Sequence, residues 1–133
     1  MSNLPVITAV YAAIFGLFAT ALTINVIVNR VRLKVEGGDG GVPKMAQAIR
    51  AHANFAEHVP LAIILIGLAE MTGMRAWIIY VLGGVLLVAR LLSAVGLNRS
   101  LSGSMPRQAG AGLTILVTVA ASIAILIGVM KIG

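Results

Sequence analysis

Between Arg50 and Pro60 the chain reads RAHANFAEHVP, which sets an arginine, two histidines, an asparagine and a glutamate inside an otherwise apolar stretch from Met45 to Thr72. A guanidinium pairs with carboxylates through two parallel donors, a carboxamide gives and accepts hydrogen bonds, and a carboxylate takes an ammonium. Helical spacing decides which of them can act together. At about 100° per residue, Arg50, Asn54 and Glu57 fall near 0°, 40° and −20°, with Gln47 near 60° and His58 near 80° on their flank. His52, near 200°, points elsewhere, so the two histidines are not placed to share a metal ion. Pro60 removes the backbone hydrogen bond to the Ala56 carbonyl and should bend the helix just beyond the polar face.

An ionised side chain near the centre of a spanning helix costs of order 3 kcal/mol on insertion scales, so it needs a partner or a polar cavity. Glu57 lies about 10 Å deeper than Arg50 at 1.5 Å rise per residue and is too short to reach the interface. Other polar groups share this depth. The first apolar stretch ends in NRVRLK with Arg32, the third carries Arg90 and then Ser93, and the fourth begins near Arg107 and Gln108. Arg32, Arg50, Arg90 and Arg107 are thus expected to converge around Asn54 and Glu57. One reading is a salt-bridge network that holds helices together. The surplus of arginines over acids favours an anionic ligand instead.

The elements that must position these groups follow from composition. Of 133 residues 59% are hydrophobic and 11% charged, and the mean hydropathy is +1.04. Soluble domains average about a quarter charged residues, so this is an all-α integral membrane protein. Apolar runs long enough to span predict one four-helix domain over residues 1–133, with helices at about 4–29, 45–72, 76–97 and 109–131. Ala19-Thr20-Ala21 has the look of a cleavage site, but no Lys or Arg precedes the first run and its length exceeds a signal core, so it reads as a retained helix. EGGDGG, from Glu36 to Gly41, lacks the strand and the Lys-Ser/Thr pair of a phosphate-binding loop and reads as a turn. Trp77 and Tyr80 suit the lipid interface, and Gly83-Gly84 with Ala120, Ala121, Ser122 and Ala124 suit close helix contact.

The formal charge is +6, but the basic residues flank the spans without aromatic interleaving, which argues against nucleic acid. Arg30, Arg32, Lys34, Lys44, Arg50, Arg99 and Arg107 lie around the first and third connections, against Arg75 and Lys131 on the other side. The positive-inside rule then predicts cytoplasmic first and third connections and both termini outside. With no cysteine in the chain, any thiol chemistry must use a thiol brought by a ligand.

Arg50-Ala51-His52, Asn54, Glu57 and Pro60 resemble the signature of the MAPEG family, the membrane-associated proteins in eicosanoid and glutathione metabolism. VRL at Val31 to Leu33, AIRAHANFAEHVPLAIILIGLAE and LLVAR ending at Arg90 extend the similarity over nearly the whole chain, and GDGG makes it most similar to the short bacterial inner-membrane branch. The resemblance implies a homotrimer in a bacterial inner membrane. It implies glutathione, as co-substrate, bound between subunits on the cytoplasmic side by the positions matching Arg32, Arg50, Asn54, Glu57, Arg90 and Arg107. A lipophilic electrophile or hydroperoxide would enter from the bilayer lipids.

This chain departs from active relatives of that family. Three and seven residues after the third-helix arginine, some of them carry His and Tyr, where Ser93 and Leu97 stand here. An aromatic residue expected after the fourth-helix arginine is replaced by Ala111, and Tyr11 and Tyr80 belong to the outer half. Arg107 is then the first candidate to stabilise the thiolate and Ser93 the second. The expected function is a glutathione-dependent transferase or peroxidase. A non-catalytic lipid-binding or scaffold protein of the same family is the alternative, and a transporter or channel subunit is disfavoured because only Glu70 is ionisable near the outer end of the second helix.

Overall fold

The computed structural model describes residues 4–99 and 104–132 and shows four long helices: α1 (Val6–Leu33), α2 (Pro43–Met71), α3 (Ala76–Arg99) and α4 (Met105–Ile132). All four are long and apolar enough to cross a membrane. The bounds that differ most from those expected are the end of α1 and the start of α4. α1 runs on to Leu33 with Arg30 and Arg32 in its last turn, where cations suit the helix dipole. α4 starts at Met105 because Pro106, which has no N–H to lose, fits a first turn. Pro43 opens α2 for the same reason, and Pro60 lies inside α2 without ending it. The third connection, expected over NRSLSGSMPRQ, gives its first two residues to α3, and 100–103 lie outside the described residues.

α2 is the hub. It packs on α1, α3 and α4, whereas α1 and α4 do not meet among the described residues. The core along α2 alternates bulk with small side chains: Phe55, Val59, Ala62, Ile66 and Ala69 are all buried. Phe55 is held edge-on by Phe18 of α1, with ring centroids 5.1 Å apart. Lipid offers no hydrophobic gain over a neighbouring helix, so close packing has to supply the association energy, and small residues permit it. At the α1–α3 crossing the Tyr11 ring lies flush against Gly83, where an added Cβ would overlap it, and the Tyr11 hydroxyl donates to the Tyr80 carbonyl at 3.0 Å.

Both ends of the α1–α2 hairpin are tied. At the connection end, Arg30 donates to the carbonyls of Val35 (3.4 Å) and Gly38 (3.0 Å), and the Asp39 carboxylate accepts the Gly41 N–H at 2.9 Å. EGGDGG is therefore a self-braced turn. At the end that holds the termini, Glu70 near the C-terminus of α2 accepts from the N–H groups of Ile7 (2.9 Å) and Thr8 (2.8 Å) and from the Thr8 hydroxyl (2.6 Å). The first N–H groups of a helix have no intrahelical acceptor, and α1 lacks a side-chain cap of its own, so a carboxylate from α2 serves instead. Glu70 thereby has a structural occupation and does not begin a polar path across the bundle. Glu70→Ala should lower stability by about 2–3 kcal/mol, the loss expected for hydrogen bonds to a charged group, read as a lower melting temperature in detergent.

Candidate functional site

Arg90 is the most deeply placed of the chemical groups. It sits on α3 with only 2% of its surface exposed. One terminal nitrogen donates to Asn54 Oδ1 of α2 at 2.8 Å, and the other donates to the Gly110 carbonyl at 3.2 Å and to the Thr114 hydroxyl of α4. The guanidinium fork thus joins three helices at one depth. All these acceptors are neutral, and Nε has no partner. No carboxylate is among these partners of Arg90, a buried cation.

This joint depends on how closely α3 and α4 approach. A Cβ on Gly110 would overlap Ser93 Oγ and come within 2.6 Å of the Ala89 carbonyl oxygen. The Gly110 carbonyl also accepts the Thr114 hydroxyl at 2.8 Å, which leaves that oxygen free to receive Arg90 in turn. Thr114 was not among the expected site residues. Gly110, Thr114, Thr118 and Ser122 recur every fourth position, and each hydroxyl donates to the carbonyl four residues back. That spacing of glycine and hydroxyls along one helix face was the available signal.

Of the four arginines expected around Asn54 and Glu57, Arg90 meets Asn54 and Arg50 lies loosely beside Glu57. Asn54 and Arg90 are brought together. Glu57 instead opens to the surface between α2 and α4, and its contact with Arg50 is a loose one, 4.0 Å with side chains 54% and 48% exposed. The roughly 60° between Asn54 and Glu57 on the helix is the physical reason: one side chain meets α3 and the other passes to the α4 side. Thr114 stands between them, bonded to Arg90 and lining the Glu57 groove. Arg32 is exposed near the end of α1. Arg107 is half-buried, with its backbone against Gly96 of α3, where a Cβ would lie 2.7 Å from the Arg107 nitrogen. Ser93 is buried beside Gly110, and Leu97 is buried in the core.

Two spaces adjoin these groups. Inside, a void of about 10 Å³ touches Asn54, Arg90, Ser93 and Leu97. It matches a single water molecule and excludes a peptide-sized ligand. Outside, a mostly apolar groove of about 170 Å³ between α2 and α4 carries Glu57 and His58 with Leu61, Thr114, Ile115, Thr118 and Val119. Glu57 and Arg50 thus lie at the surface of the chain.

The family model of the MAPEG family matches residues 8–127. The chain belongs to the MAPEG family. Within it, this MAPEG protein is 35% identical over 95 residues to "Inner membrane protein YecN" of Escherichia coli strain K12, a stretch covering 71% of this chain and 72% of that protein. The same figures hold for the YecN of Escherichia coli O6:H1 strain CFT073. Gly110→Ala in this MAPEG chain should destabilise it by about 1–3 kcal/mol, as overpacking does. Combining it with Ser93→Gly should restore only part of the loss, since the Ala89 carbonyl still obstructs the methyl; thermal unfolding of both variants in detergent checks this.

Proposed function

We propose that the chain is a glutathione-dependent transferase or peroxidase of the inner membrane, assembled as a homotrimer, with glutathione bound between subunits at the cytoplasmic end that carries the first and third connections. The observation that carries this reading is Glu57. It is the central residue of the 29-residue α2, yet more than half of its side chain is exposed on a face that a lone subunit turns toward lipid. A carboxylate left there costs of order 3 kcal/mol, so the surface calls for protein and ligand to cover it. The YecN proteins are named as inner membrane proteins, which supports the location, and the excess of basic residues at the connection end supports the orientation.

The chemistry of the groups suits the ligand. Glutathione brings two carboxylates for Arg32, Arg50 and Arg107, an ammonium for Glu57, and amides for Asn54. Arg90 acts from behind. It fixes the Asn54 carboxamide and raises the positive potential of the site, which draws an anion. Nearby guanidinium favours the thiolate over the thiol, and Arg107 is the residue assigned to hold it, with Ser93 second. With an electrophile, sulfur forms a bond to carbon as the leaving group departs with its electron pair, and the thiol proton goes to solvent. With a hydroperoxide, sulfur takes the terminal oxygen and releases an alcohol. A second glutathione then displaces hydroxide, and disulfide and water result.

The second reading is a non-catalytic lipid-binding or scaffold protein, favoured by Ser93 and Leu97, both buried, standing where some active relatives carry His and Tyr. Two experiments separate the two. Calorimetric titration of glutathione into the detergent-purified oligomer should give heat that vanishes in Arg50→Ala and Glu57→Ala; no heat with an intact wild-type oligomer would overturn the ligand. Arg107→Ala should lower turnover of a lipophilic aryl halide by about 10²-fold, the usual loss of one charge-stabilising donor. Binding heat without turnover in the wild type would favour the scaffold.

A further inference from the structure

A polar cleft lies at the opposite end of the molecule, where α1 begins and α4 finishes. The α2–α3 turn and the last turn of α4 enclose a groove of about 330 Å³ lined by Thr72, Met74, Arg75, Trp77, Ile78 and Lys131, among others. Arg75 comes from the turn and Lys131 from α4, so two separate elements each deliver one cation to the same cleft. Both side chains are exposed. The chain has only four side-chain carboxylates, Glu36, Asp39, Glu57 and Glu70. Three of them belong to the first connection or the middle of α2, and Glu70 is committed to the N–H groups of α1. No side-chain carboxylate lines the cleft.

Apolar side chains share the lining with these cations. Trp77 is 61% exposed there, with Met74 and Ile78 beside it. Two cations with no side-chain carboxylate in the lining, together with an exposed indole at a spanning-helix terminus, match the two parts of an anionic phospholipid, a phosphate and the top of an acyl chain. We infer that this cleft is a binding site for the headgroup of an anionic phospholipid, with its phosphate between Arg75 and Lys131 and its chain along Trp77. The site is separate from the Glu57 face and does not depend on glutathione binding.

Trp77 is the one tryptophan in the chain, which makes its fluorescence a local reporter. The full chain is reconstituted in phosphatidylcholine vesicles that contain equal small fractions of either dibrominated phosphatidylglycerol or dibrominated phosphatidylcholine, and quenching of Trp77 is compared. The expected result is a preference for the anionic lipid of roughly fivefold or more, on the scale of one cation at a membrane surface. It should disappear in the Arg75→Gln, Lys131→Gln double variant and persist in a Lys34→Gln, Lys44→Gln variant at the other end. Equal quenching by the two lipids in the wild type, or a preference that survives in the first variant, overturns the site. So does loss of preference in the second variant, which would mark a bulk charge effect. Inorganic phosphate is also titrated into plain phosphatidylcholine vesicles. A change in Trp77 emission there, without lipid preference, would assign the cations to soluble phosphate and overturn the lipid.

Discussion

A guanidinium inside an apolar bundle is the constraint on which the rest of this structure depends. Burying Arg90 is tolerable because its two terminal nitrogens are met, and their acceptors come from two other helices, Asn54 on α2 and Gly110 with Thr114 on α4. The three helices are consequently fixed in rotation as well as in distance. A turn of α4 by one residue would withdraw both of its acceptors. Hydrophobic packing alone, in a solvent as apolar as the side chains, would not resist such slippage as strongly.

The same arrangement divides the polar groups into two populations. Arg90, Asn54, Ser93 and Thr114 face inward or lie at the helix seams, whereas Arg32, Arg50, Glu57 and His58 are left on the outside. The inner set gives shape and positive potential, and the outer set can touch a ligand. The space beside Asn54 and Arg90 matches about one water. Glu57 and His58 thus lie exposed on a helix long and apolar enough to cross a membrane.

Much of the fold was legible because apolar runs of spanning length have few alternatives in a membrane. The ends were less so: α1 carries Arg30 and Arg32 inside its last turn, and α4 begins ahead of Pro106, since charged and proline-bearing turns extend a helix without raising its hydropathy. In the site, Arg90 and Asn54 were legible as partners from their common depth. Glu57 was not, because angles around a single helix do not say which neighbour each direction meets. Thr114 escaped notice for a different reason. A threonine among valines and isoleucines looks like part of the apolar surface, and only the repeat Gly110, Thr114, Thr118, Ser122 distinguishes it.

The carboxylate of Glu70 bears on how the chain enters the bilayer. α1 leaves its first N–H groups to be answered by a residue that is synthesised only at the far end of α2. A solitary α1 would carry those donors unmatched. The helical hairpin from Val6 to Met71, closed by the braced glycine turn at one end and by Glu70 at the other, is therefore the smallest piece of this chain whose first helix is capped. Insertion physics favours delivering it as a pair, with α3 and α4 then docking onto a preformed half.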